Sequence, residues 1–92
     1  MAIIVHFEPT GLNEKTCAEV MRRLDAAGAA EPRGRLHHVC YGTPDALRVV
    51  DVYATPQDFE AFGKTLVPIL GAVGVQLGQP SITPAVNVVR GR

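Results

Sequence analysis

His37, His38 and Asp51 flank a Thr43-Pro44-Asp45 turn and give this chain its clearest acid–base chemistry. A carboxylate that accepts a hydrogen bond from one imidazole nitrogen fixes the ring's tautomer. The other nitrogen is then free to take a proton from a substrate carbon or oxygen. The same pairing has a plainer use. A buried aspartate needs a partner because burying a lone charge is costly, and His38, Arg48 or a backbone group would satisfy Asp51 without any reaction.

Which histidine serves depends on strand register. Pro44 suits position i+1 of a turn from Thr43 to Ala46. If Thr43 faces Ala46, Tyr41 opposes Arg48, Cys40 opposes Val49, His38 opposes Asp51 and Leu36 opposes Tyr53. Directly opposed side chains share a face. A one-residue bulge would put His37 opposite Asp51 instead. Adjacent strand residues point to opposite faces, so His37 and His38 do not form one metal site. A His6-His38-Asp51 metal site lacks a compact ligand motif, and no metal is expected.

Further residues would line a substrate pocket around this pair. His6 joins it if its face matches that of Asp51, and otherwise faces a partner subunit. Tyr53 carries a phenol able to donate to a developing oxyanion. Phe59, Phe62 and Met21 would line a cleft between helices and sheet, although helical spacing makes core packing the default for them. Cys17 and Cys40 fall at core-like positions and read as buried thiols rather than a disulfide or metal pair.

These residues need a scaffold, and the pattern supplies one. Residues 2–8 alternate as a strand, with Ile3, Val5 and Phe7 on one face and Ile4, His6 and Glu8 on the other. Asn13 caps a helix to about Ala27, whose apolar stripe is Cys17, Val20, Met21, Leu24 and Ala27. After a loop come the two strands around Pro44. Thr55-Pro56-Gln57-Asp58 opens a second helix with the stripe Phe59, Phe62, Leu66, Ile69 and Leu70. Pro68 is expected to kink or interrupt it near Lys64–Leu66, and Gly71 or Gly74 to end it. Residues 81–89 read as a last strand, at an edge because of Pro84.

The order β-α-β-β-α-β leads to an α+β, ferredoxin-like domain over residues 1–92. It has a four-stranded antiparallel sheet with both helices on one face. Strand 3 carries Val49 on one side and Val50 and Val52 on the other, so both faces of the sheet call for cover. A second copy packed sheet to sheet is the economical answer.

Composition narrows the function classes. Nine basic and nine acidic residues cancel, which leaves no basic field for nucleic acid. No apolar stretch approaches the ~20 residues that span a bilayer. The N-terminus reads as a strand rather than a targeting segment, which points to the cytoplasm.

The sequence Asp51-Val52-Tyr53-Ala54-Thr55-Pro56-Gln57-Asp58-Phe59 is similar to a pattern of the dimeric α/β barrel superfamily, in its antibiotic biosynthesis monooxygenase-like branch. That pattern sets an acidic residue and an aromatic near a strand end, then a Ser or Thr cap, then a helix with an early aromatic. The resemblance covers nearly the whole chain and implies a homodimeric barrel with a cleft between sheet and helices. It implies cofactor-independent monooxygenation, isomerisation or cyclisation of an aromatic or polyketide-like molecule. It equally covers non-catalytic, ligand-binding or stress-associated barrels. The chain has no Trp, and neither helix carries a His, so haem is not expected and no cofactor is implied. The leading expectation is proton transfer by His38 and Asp51 on a small organic substrate.

Overall fold

A computed structural model describes residues 1–89. Its elements are β1 (Ile3–Phe7), α1 (Glu14–Ala26), β2 (Arg35–Thr43), β3 (Ala46–Tyr53), α2 (Pro56–Val73) and β4 (Ser81–Pro84). The four strands form one sheet in the order β2-β3-β1-β4, and every neighbouring pair is antiparallel. This is the ferredoxin-like α+β arrangement.

Alternation in β1 divides the molecule. Ile3, Val5 and Phe7 are buried beneath the helices, while Ile4 and Glu8 are exposed on the outer face. Val20 and Leu24 of α1 and Phe62 and Leu70 of α2 complete the core. The hydrophobic stripes of both helices thus meet the inner face of the sheet, as their spacing predicts.

The caps form as their residue types require. Asn13 Oδ1 accepts from the Thr16 N–H at 2.9 Å, and Thr16 Oγ1 accepts from the Asn13 N–H at 2.9 Å. Thr55 Oγ1 accepts from the Asp58 N–H at 3.1 Å, with Pro56 at the first helical position. Gly74, at φ 87°, takes the left-handed C-cap of α2.

Three expectations need correction. First, Pro68 does not interrupt α2, which runs from Pro56 to Val73. Pro68 has no N–H for the Lys64 carbonyl, but both residues lie on the exposed side, where water can take that acceptor. Second, the last strand covers only residues 81–84 of the expected 81–89. β4 runs antiparallel to β1 with Pro84 opposite Ile3. Ala85 N–H still reaches the Ala2 carbonyl at 2.8 Å, and beyond it β1 has almost no chain left to pair with. Third, Leu36 does not oppose Tyr53. A bulge between Arg35 and His37 sets Arg35 opposite Tyr53, while His37 pairs with Val52 and His38 with Asp51.

No helix among the described residues is long and apolar enough to cross a membrane.

Candidate functional site

The hairpin of β2 and β3 sets the register of the site. Thr43 faces Ala46 across the turn, Cys40 faces Val49 and His38 faces Asp51. The bulge falls at Leu36, two residues short of where it would exchange His38 for His37. His37 is left exposed on the outer face.

Asp51 is 3% exposed, the one charged residue buried among the described residues. Its carboxylate is satisfied at both oxygens. Oδ1 lies 2.5 Å from His38 Nδ1, and Oδ2 accepts from the Tyr53 phenol at 3.2 Å. An ionised carboxylate only accepts, so Nδ1 carries the hydrogen in the neutral ring and Nε2 presents its lone pair. No hydrogen-bond partner for Nε2 occurs among the described residues. The His38 side chain remains 26% exposed, so solvent or a ligand can reach the ring.

Both residues line a cavity of about 60 Å³ between the sheet and the two helices. That is room for more than one water. Its walls are mostly apolar: Phe7, Val20, Leu24, Phe62, Leu66 and Leu70 are among them, with Met21 at the side of α1. A second, more open cleft of about 320 Å³ lies along the β2 edge, lined by Glu31, Pro32, Arg35, Leu36, His37 and His38. Arg35 and His38 are the two residues common to both linings.

Of the side chains expected around the pair, Phe62 and Met21 line the cavity. Tyr53 is fully buried and reaches the site through its bond to Asp51 rather than through the cavity wall. Burial, reinforced by the Asp51 charge, pushes its phenol well above the ordinary value, so it stays a donor. Phe59 stands behind it, 5.2 Å from the Tyr53 ring centroid and 6.0 Å from that of Phe7.

His6 is not part of this assembly. It pairs with Val50 in the ladder and shares the outer face, whereas Val5 is the residue opposite Asp51. Period-two alternation therefore places it on the far side of the sheet, where its Nε2 meets the Tyr41 hydroxyl and the two rings stack at 6.0 Å.

The two thiols also line the cavity, with Cys17 Sγ 3.9 Å from Cys40 Sγ. Both are free. Burial first, and then Cys17, pushes the Cys40 thiol up to about 11, which keeps it protonated and a poor nucleophile near neutrality.

Sequence reasoning missed Arg35. It reads as the end of the loop before the hairpin, whereas β2 begins at Arg35 and the bulge turns it to the inner face. The signal was faint: Gly34, one residue earlier, adopts φ 82° and abuts Asp58 so closely that a Cβ there would lie 2.2 Å from that carboxyl. Among the described residues no cluster of three or more His, Cys, Asp or Glu could hold a metal ion.

The fold is similar to that of solved structures that include antibiotic biosynthesis monooxygenases. SnoaB, a cofactor-independent oxygenase from Streptomyces nogalater, superposes with a TM-score of 0.60 at 17% identity, over 98% of this chain and 96% of that one. A provisionally assigned antibiotic biosynthesis monooxygenase from Chloroflexus aurantiacus gives 0.62 at 16% identity, over 97% and 95%. A Nitrosomonas europaea protein of unknown function, NE2512, gives 0.55 at 18%, over 98% and 94%. No protein-family model matches the chain, and no curated protein sequence matches it. At these identities the likeness is one of fold.

Proposed function

We propose that this chain is a small-molecule enzyme in which His38, oriented by Asp51, moves a proton on an aromatic or polyketide-like substrate. The observation that carries this reading is the 2.5 Å contact from His38 Nδ1 to a buried carboxylate, made in a side chain that lines a cavity. Nε2 takes the proton from an acidic C–H or O–H of the substrate, and Asp51 steadies the imidazolium that results. The apolar walls hold the ring system and exclude bulk water.

The anion left on the substrate has two fates. It reacts directly with oxygen, as a cofactor-independent monooxygenase requires, or it is reprotonated elsewhere, as an isomerase or cyclase requires. The fold shared with SnoaB favours the first. The inner cavity alone is below the roughly 300 Å³ of an ordinary ligand pocket, so the substrate extends past His38 into the outer cleft.

The protein would work in the cytoplasm as a homodimer. Val39 and Tyr41, at 49% and 39% exposed, lie with Ile4, Val50 and Val52 on the outer face and leave an apolar surface for a second copy.

A second reading has its own support. The Asp51 carboxylate is satisfied at both oxygens within the fold, so the same pair would serve a non-catalytic, ligand-binding dimer equally well.

An oxygen electrode separates the two readings. Anthrone offers a tricyclic aromatic with an acidic C–H, and the wild type should consume oxygen with it. His38→Ala and Asp51→Asn should each slow that uptake by about 100-fold or more, with fold, dimerisation and anthrone binding measured separately. Unchanged uptake in both variants would overturn the enzymatic role of the pair.

A further inference from the structure

We propose that Arg35 is an anion-binding, specificity-determining residue, and that the ligand of this site carries an anionic oxygen beside the group His38 deprotonates. The inference rests on the reading of the cavity as a substrate site and names the class of substrate it takes.

The bulge at Leu36 is the first ground. In a regular strand Arg35 and His38, three apart, would point to opposite faces. The extra residue puts Arg35 opposite Tyr53 and His38 opposite Asp51, so both side chains share the inner face. A bulge that kept the His38 register while turning a guanidinium inward has a chemical consequence as well as a structural one.

How Arg35 is held is the second ground. Its guanidinium carbon lies 5.5 Å from the Phe62 ring centroid, and Nη2 donates to the Ala30 carbonyl at 3.2 Å. These contacts fix the planar group while using one of its five N–H donors. Among the described residues no carboxylate comes within ion-pair distance of it. Half-buried guanidinium groups ordinarily find one, and a bidentate oxyanion is the ligand their fork fits best.

Position is the third ground. Arg35 and His38 stand together at the junction of the apolar cavity and the outer cleft. A ring in the cavity would present its polar substituents to both at once. Asp51 and Glu31 face the same spaces and would repel an anion, so the positive charge of Arg35 is what allows one to bind there. Two sources of the oxyanion share this chemistry: a carboxylate already on the ligand, or the enolate or phenolate oxygen that appears when His38 takes the proton.

Benzoate, benzamide and 4-nitrophenol test this on the intact chain, with binding and the His38 ring resonances followed by NMR. Benzoate should bind the wild type at least about tenfold more tightly than its neutral isostere benzamide. Arg35→Met, which keeps an unbranched side chain without the charge, and Arg35→Gln should abolish that preference, while Arg35→Lys should keep part of it. If the oxyanion is the one generated in place, bound 4-nitrophenol should ionise at lower pH in the wild type than in Arg35→Met. Equal binding of benzoate and benzamide, with no Arg35 effect on nitrophenol ionisation, would overturn the inference while leaving the cavity reading intact. If no probe perturbs His38, the cavity reading itself fails, and the inference with it.

Discussion

Asp51 sits in mid-strand with donors on both oxygens, and its surroundings set what each neighbour can do. His38 and Tyr53 both give it a hydrogen, so the burial of one charge organises a three-residue network. Asp51→Asn keeps the shape but removes the charge and one acceptor. It should lower unfolding free energy by about 1–3 kcal/mol, read from urea midpoints. Alkaline pH probes the same neighbourhood from the acidic-hydrogen side. The Cys40 thiol is raised from 9.0 to about 11, and the Tyr53 phenol is raised as well. Each ionises more readily in the unfolded chain, so the Cys40 contribution is whole below pH 9 and is lost as pH climbs through about 11, and that of Tyr53 is lost at higher pH still. Cys40→Ala with Tyr53→Phe should flatten that decline. An equally steep loss in the double variant would show that other groups cause it.

At the scale of elements, β2 carries most of what the sequence left unsaid. The turn at Pro44 pointed to His38 as the partner of Asp51 and left His37 as the alternative if a bulge intervened; every residue from Thr43 back to His37 follows one register, so none does. The bulge lies just beyond, in Arg35-Leu36-His37, where no change of hydrophobic period marks it. Gly34 makes that start possible. Its φ of 82° and the nearness of Asp58, 2.2 Å from where a Cβ would sit, strain any side chain there, and its carbonyl accepts from the Ala54 N–H at 2.7 Å. Gly28 has a similar φ of 72° with open space around it. Gly28→Ala should therefore cost about 1 kcal/mol, and Gly34→Ala about 3 kcal/mol or more, since it adds a collision to the strain. Thermal unfolding of the two variants compares them, and equal losses would contradict the close packing of Gly34 against the Asp58 cap. The helices were legible to within a residue or two from Asn13, Thr55, Pro56 and Gly74. The fate of Pro68 was not. Whether a proline breaks a helix depends on whether the orphaned carbonyl can reach water, and exposure is a property of the fold.

For the whole molecule, the element order alone dictated the sheet, because two crossovers and one hairpin leave few unknotted, right-handed arrangements. The outer face was legible too: Val50 and Val52 alternate with Val49, and they do lie on the side without helices. His6 was the undecided residue, since its face depends on how β1 registers with β3 rather than on either strand's own pattern. With Tyr41 it lies in the middle of the surface assigned to the second copy. Light scattering at micromolar concentration should give a mass near twice 9.8 kDa. Val39→Glu should shift it toward the monomer, by setting a charge in an apolar interface. A monomeric wild type would contradict the sheet-to-sheet pairing.

The central claim is that His38 holds a proton-accepting nitrogen toward a substrate because Asp51 holds the other. Long-range ¹H–¹⁵N NMR of the labelled imidazole reads both nitrogens directly. The neutral ring of His38 should be the Nδ1–H tautomer, and binding of an acidic phenol should protonate Nε2 as the ligand's own absorption turns to that of the phenolate. A neutral ring carrying its hydrogen on Nε2, or a bound phenolate with Nε2 left unprotonated, would contradict the account.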